Sequence, residues 1–175
     1  MIVINNFRAQ TARKYSKLVI FDKDGTLIKD NGYVHKIVDF EWNFAGLELL
    51  KIAASSRACI CVITNQSGIE RGIYSKRDSI KFCKYLIRMA RRINIDIKKV
   101  IICPHSARPV NQCECRKPNI GMFSKLMENP WAQNLDIIMV GNSESDLKFS
   151  ENCGIPYLDV REKKAITQMN YFLEN

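Results

Sequence analysis

The chain has 175 residues, 46% of them hydrophobic, with a formal net charge of +9 and seven cysteines. That suffices for one domain with a real core, and no apolar run approaches the ~20 residues of a membrane span. An odd number of cysteines, several inside apolar runs, argues for reduced thiols, some of them on a metal, rather than a secreted disulfide framework. The patch Met1-Ile2-Val3-Ile4 is too short for a signal-peptide core, so the expected setting is the cytoplasm. The positive balance suits nucleic acid, a small polyanionic substrate, or plain solubility.

Residues 1–16 turn polar and basic after Ile4 and read as an N-terminal extension, with a short edge strand at 2–4. A single domain is expected over 17–175. Its first core strand, 17–21, stops at Asp22 and Asp24. Extended backbone sets carboxylates at i and i+2 on one side of the chain. Gly25 then permits a sharp turn before the Thr26 hydroxyl. Residues 25–41 form a long connection, of the kind that carries function or local structure of its own. A helix is expected over 45–54, with Leu47, Leu50 and Ala54 on one face.

Strand 58–64 runs straight into Asn65-Gln66-Ser67-Gly68. Ser75 reads as the cap of a helix whose buried stripe is Ile80, Cys83, Ile87 and Ala90. Arg88, Arg91 and Arg92 load its outer side as a solvated face. Strands at 99–103, 136–140 and 157–160 alternate with helices at 119–129, from Ser143-Glu144-Ser145-Asp146 onward, and at 161–173. Solid apolar strands alternating with helices predict an α/β fold, a doubly wound, mainly parallel sheet covered on both faces.

In such a fold the strand ends converge on one crevice. Here they bring Asp22 and Asp24, Thr64 and Asn65, the Arg116-Lys117 region, and Asn142 and Asp146. This set suits phosphoryl transfer. A carboxylate attacks phosphorus, and a second acid protonates the leaving oxygen and then activates water. Magnesium takes hard oxygen ligands and neutralises phosphate charge, while a hydroxyl and a lysine stabilise the phosphoryl oxygens. Separately, Cys103, His105, Cys113 and Cys115 offer three thiolates and one imidazole in a short segment. They suit a tetrahedral structural zinc site, a staple over 103–115 that fixes the Arg116-Lys117 pair behind it. Cys59, Cys61, Cys83 and Cys153 read as core residues.

Asp22-Lys23-Asp24-Gly25-Thr26 and Thr64-Asn65-Gln66-Ser67-Gly68 resemble the first two motifs of the haloacid-dehalogenase (HAD) phosphatases. Gly32-Tyr33-Val34-His35, Ser67-Gly68-Ile69-Glu70-Arg71-Gly72, Cys103-Pro104-His105, Cys113-Glu114-Cys115-Arg116-Lys117-Pro118 and Gly121-Met122 narrow the resemblance to the D-glycero-D-manno-heptose-1,7-bisphosphate 7-phosphatases. It spans about residues 17–160. The resemblance implies a compact HAD-like core without a large cap, removing the 7-phosphate of a sugar bisphosphate during heptose precursor synthesis for surface polysaccharide. It implies Asp22 as nucleophile, Asp24 as general acid and base, and Thr64 and Lys117 as holders of the phosphoryl group. Asp30, Asn31, Gly32, Tyr33, Asn65, Gln66, Ser67 and Arg116 would contact the rest of the substrate. Asp22, the Asp24 carbonyl and Asn142 would bind magnesium. The expected protein is a monomer with a small-molecule substrate and neither nucleic acid nor membrane as partner.

Two positions depart from the family pattern. Asn142 stands where the fourth motif has Asp, and Ser143 where relatives carry a cation. The first predicts weaker magnesium binding, the second altered substrate affinity. Ser143 and Asp146 also have the spacing of a helix cap. Competing readings are a histidinol-phosphate phosphatase, a polynucleotide 3′-phosphatase, an inactive relative, and a zinc-stabilised nucleic-acid-binding module without catalysis. A cysteine phosphatase is excluded, because Pro109 falls where the required arginine would follow Cys103.

Overall fold

A computed structural model describes residues 1–6, 15–107 and 113–175 of the chain. Six strands form one sheet: β1 (Ile2–Asn5), β2 (Lys17–Phe21), β3 (Cys59–Asn65), β4 (Ile97–Cys103), β5 (Asp136–Gly141) and β6 (Tyr157–Asp159). Their order is β1-β4-β3-β2-β5-β6. Only β1 runs antiparallel, pairing Ile2 with Ile102 on the edge. The α-helices among the described residues are α1 (Phe44–Ser55), α2 (Lys76–Arg92), α3 (Gly121–Met127), α4 (Glu144–Cys153) and α5 (Ala165–Glu174).

The apolar strands are buried on both sides, and their residues sort by parity. Val19, Phe21, Ile60, Val62, Val100, Ile102 and Val140 join α1, α2 and α5 in one core. Leu18, Ile20, Cys61, Ile63, Ile101 and Met139 join α3 and α4 in the other. A sheet covered on two faces demands this, which is why the strands read as unbroken apolar runs. Cys59, Cys61 and Cys83 are buried and Cys153 is half-buried.

The chain winds from β2 outward through β3 to β4, then restarts on the other side at β5 and β6. The switch point therefore lies between β2 and β5, where open α/β sheets form their crevice. Pairing of Phe21 with Val140 sets Asp22 beside Gly141, and the Asp22 amide donates to the Val140 carbonyl at 2.9 Å.

Several boundaries differ from the sequence expectation. The helix expected at 161–173 begins only at Ala165, because Arg161 folds back onto Asp159 through two hydrogen bonds at 2.9 and 2.5 Å. The helix expected at 119–129 is only Gly121–Met127, followed by a 3-10 turn over Pro130–Ala132. Strand β4 starts earlier than 99, at Ile97, and α1 buries Gly46, Leu49, Leu50 and Ala53 most deeply, with Leu47 and Ala54 half-buried against the same core. The buried arc of α2 includes Phe82 and Leu86 as well as Cys83, Ile87 and Ala90, and leaves Ile80 half-buried. The long connection after Gly25 does have local structure: Leu27 and Ile28 are fully buried, and Ile28 bridges Trp42. No helix among the described residues is long and apolar enough to cross a membrane.

Candidate active site

Lys117 is the centre of the crevice. Its ammonium donates to Asp22 Oδ1 at 2.6 Å and to Asp146 Oδ1 at 2.5 Å, and it is only 3% exposed. A lysine so deep persists charged because it is paired. Burial alone would lower its pKa, but Asp22 and Asp146 overcome that and raise it. Asp146 closes the first turn of α4 as the last member of a capping box with Ser143, so one carboxylate caps the helix and anchors the lysine. Burial pushes its carboxyl up, but Lys117 and the Ser143 and Asn142 donors hold it below its ordinary value. Asp22 is different. Burial lifts its carboxyl to about 7 against the pull of Lys117, and the nearby Asp146 and Asp24 charges add to the rise.

Asp24 has a donor group at each oxygen. Lys23 Nζ lies 2.8 Å from Oδ1, and Gln66 Nε2 donates to Oδ2 at 2.6 Å. The same Gln66 amide donates to Thr64 Oγ1 at 2.9 Å. The sequence reading missed Lys23. The turn after β2 carries its side chain into the core, where it is fully buried, 4.7 Å from the Phe82 ring centroid, with a hydrogen bond to the Val34 carbonyl. Tyr74, also missed, donates to Gln66 Oε1 at 2.6 Å. Gly25 takes a left-handed turn with φ of +73°, and a Cβ there would meet Asn142 Nδ2 at 2.3 Å, so glycine lets β2 and the β5 end approach. Thr26 Oγ1 donates to Asn142 Oδ1 at 3.0 Å.

The predicted substrate contacts separate into two groups. Asn65 faces inward: its amide clasps the Lys117 backbone from both sides, donating to the carbonyl at 3.1 Å and accepting from the N–H at 3.0 Å. Gln66 is buried as described, and Arg116 donates to the His105 carbonyl at 2.8 Å. The hydrogen-bonding groups of Asn65 and Gln66 are thus occupied inside the protein. Asp30, Asn31, Gly32 and Tyr33 form an exposed rim, turned by a hydrogen bond from the Gly32 N–H to Asp30 Oδ1. Tyr33 OH accepts from Arg71 at 2.6 Å. Ser67 is half-buried below that rim, its carbonyl accepting from the Arg71 N–H.

Behind Lys117, the ligand atoms of Cys103, His105, Cys113 and Cys115 all lie within 4.8 Å of one another. Cys103 Sγ is 3.7 Å from both His105 Nδ1 and Cys113 Sγ, and Cys115 Sγ is 3.5 Å from His105 Nδ1. Cys113 Sγ sits closer, 2.7 Å from His105 Nδ1 and 3.1 Å from Cys115 Sγ, so the cluster is tighter than the ~3.8 Å edges of a zinc tetrahedron, while three thiols and one imidazole are the donor types zinc takes. Hydrogen bonding from Cys103, Cys113 and His105 holds the Cys115 thiol below its ordinary value. The loop is tied to the 66–73 turn, where Glu70 accepts from the Ser106 N–H at 2.6 Å and from its hydroxyl. Residues 108–112 of the staple, Pro109 included, lie outside the described residues.

Asp22 follows β2 beside the end of β5, where Asn142 stands, and its raised pKa marks a place where added positive charge is stabilising.

Known proteins resemble this chain in sequence and in fold. The family described as polynucleotide kinase 3 phosphatase matches residues 17–143. D-glycero-alpha-D-manno-heptose-1,7-bisphosphate 7-phosphatase of Campylobacter jejuni is 34% identical over 140 residues, 80% of this chain and 79% of that protein. D-glycero-beta-D-manno-heptose-1,7-bisphosphate 7-phosphatase of Haemophilus ducreyi is 32% identical over 157 residues, 86% of each chain. In fold, the chain is similar to D,D-heptose 1,7-bisphosphate phosphatase from B. bronchiseptica, solved with magnesium and phosphate. The TM-score is 0.72 at 23% identity, over 87% of this chain and 86% of that one.

Proposed function

This chain belongs to the HAD-superfamily phosphatases, related to the D-glycero-D-manno-heptose-1,7-bisphosphate 7-phosphatases, and on that premise we propose that it removes the 7-phosphate of the heptose bisphosphate. Its activity is that of a phosphomonoester hydrolase. The observation that carries the mechanism is the Lys117 ammonium, held between Asp22 and Asp146 at 2.6 and 2.5 Å beside Asp24 and Thr64. Asp22 attacks phosphorus, the bond from phosphorus to the sugar oxygen breaks, and Asp24 gives that oxygen its proton. Water then attacks the aspartyl-phosphate while Asp24 takes a proton back. Asp22 is regenerated and inorganic phosphate leaves. Thr64 and Lys117 hold the phosphoryl oxygens, and Asn65 keeps Lys117 in place.

Bound magnesium would be held by Asp22, the Asp24 carbonyl and Asn142, and would neutralise phosphate charge. Zinc on Cys103, His105, Cys113 and Cys115 would be structural, fixing the loop that delivers Arg116 and Lys117. Relatives are named for both anomers. The product would enter heptose supply for surface polysaccharide.

A second reading has its own support. Helix α2 carries seven cations against Asp78, six of the chain's nine net positive charges. Arg77, Lys81, Lys84, Arg88 and Arg91 fall on one stripe about 21 Å long. With the family match at residues 17–143, this favours a 3′-phosphorylated polynucleotide as an alternative substrate. A phosphate-release screen with magnesium decides between them. It compares the heptose bisphosphate anomers, histidinol phosphate and a 3′-phosphorylated oligonucleotide. The expected result is fastest release from a heptose bisphosphate; fastest release from the oligonucleotide would overturn the first reading.

A further inference from the structure

Tyr74 belongs to none of the sequence motifs, yet it ends a directed chain of hydrogen bonds on two groups of the reaction. A carboxylate only accepts, so the Gln66 amide must present its NH2 to Asp24 Oδ2, at 2.6 Å. Its second N–H meets Thr64 Oγ1 at 2.9 Å. The Gln66 carbonyl then faces Tyr74, whose hydroxyl donates to it at 2.6 Å. Gln66 is 4% exposed, so without that donor its carbonyl would be buried and unsatisfied.

The Tyr74 ring is itself clamped. His35 stacks on it with centroids 4.6 Å apart and 15° between planes. The His35 Nδ1–H in turn donates to the Tyr33 carbonyl at 2.6 Å. On the other side a Cβ on Gly68 would sit 2.2 Å from Tyr74 Cε1, so only glycine leaves room for the ring. The Gly32-Tyr33-Val34-His35 and Ser67-Gly68 segments thus meet on one aromatic ring.

We propose that Tyr74 is a positioning residue: its hydroxyl fixes the Gln66 amide so that one N–H orients Asp24 for proton transfer to the leaving oxygen, and the other engages the Thr64 oxygen. With Thr64 Oγ1 accepting from Gln66, its own proton is directed to a different acceptor, the transferring phosphoryl oxygen. The inference rests on the acid–base role proposed for Asp24.

The test is Tyr74→Phe, which keeps the ring and its stack, assayed on two phosphomonoesters. One is 4-nitrophenyl phosphate, whose leaving group needs no proton; the other is an alkyl phosphate, which does. Activity on the alkyl ester should fall about tenfold in kcat/KM, which reads the steps up to departure of the alcohol, while 4-nitrophenyl phosphate loses less than about threefold. The ratio of the two rates does not depend on how much of the variant is folded. In a Gln66→Met background, adding Tyr74→Phe should change nothing further. Equal loss on both esters, wild-type rates on both, or additive losses in the double variant would overturn the proposal. Asp24→Asn separates the two levels. If it too loses both esters equally in kcat/KM, from which the shared water step is absent, the acid role of Asp24 fails, and the Tyr74 proposal falls with it.

Discussion

The strand-end crevice and the cysteine loop lie side by side but are held by opposite means. In the crevice, Asp22, Thr64 and Gly141 are fixed by the register of a buried parallel sheet, with pairings such as Phe21 to Val140 and Thr64 to Ile102. In the loop, Cys113 and Cys115 sit in irregular backbone and gather through side chains, with 3.1 Å between their sulfurs. The two meet at Lys117, whose ammonium belongs to the first region and whose backbone is clasped by Asn65 just after the second. A sheet can place a nucleophile without help, whereas a cation delivered from a loop needs an added constraint. Here the clasping Asn65 amide supplies it, and a metal on the Cys103, His105, Cys113 and Cys115 cluster would add to it.

The largest effect should come from the sheet side. Asp22→Asn removes the attacking oxygen and should lower turnover by at least about a thousandfold while the fold persists; a phosphate-release assay beside circular dichroism reads both. Survival of turnover would end the aspartyl-phosphate mechanism.

The loop side should fail differently. Cys115→Ser or zinc chelation should lower the melting temperature by about 10 °C or more and reduce kcat through a misplaced Lys117. Zinc-free protein with full activity and an unchanged melting curve would show that the staple is dispensable.

A smaller effect sharpens the sheet side. Asn142→Asp adds a carboxylate to the oxygen set and should lower the magnesium concentration for half-activity by about tenfold. An unchanged titration would remove position 142 from the metal site. It would also test whether the Thr26 hydrogen bond to Asn142 Oδ1, at 3.0 Å, keeps that oxygen from an ion.

The last prediction concerns pH. Asp22 titrates near 3.8 unfolded and about 7 folded, so the folded state binds its proton more tightly. The stability from this group is therefore complete below the unfolded value and is lost as pH rises through the folded one. In magnesium-free buffer, urea unfolding should show stability declining between about pH 4 and pH 7, and Asp22→Asn should flatten that slope. A wild-type slope in the variant would assign the titration to another group. No such window exists for Asp146, whose carboxyl is held below its ordinary value.

Much of the candidate site was readable in advance because it sits at strand ends. Asp22, Asp24 and Thr64 follow apolar runs whose length and composition announce strands, and the doubly wound pattern brings such ends together. Lys23 escaped the same reasoning because it lies in the turn after β2 and pairs with its own neighbour Asp24. A charged residue in the core looks wrong until its partner and the Phe82 ring are seen. Tyr74 had no such signal. Its hydroxyl reaches Gln66 only because the 67–73 turn folds back and His35 arrives from another loop.

By itself, then, the amino-acid order determined the alternation of strands and helices, the burial of the sheet on both faces, the acid pair at its edge and the grouping of three thiols with one imidazole. These follow from one-dimensional patterns, namely the period of apolar residues and the close spacing of ligands. Only the tertiary structure decided which ammonium answers which carboxylate across 95 positions, which way the Gln66 amide points, and that Asn65 and Gln66 turn inward rather than outward. Hydrogen bonds are settled by fractions of an ångström in loop geometry, and no periodicity in the chain encodes that.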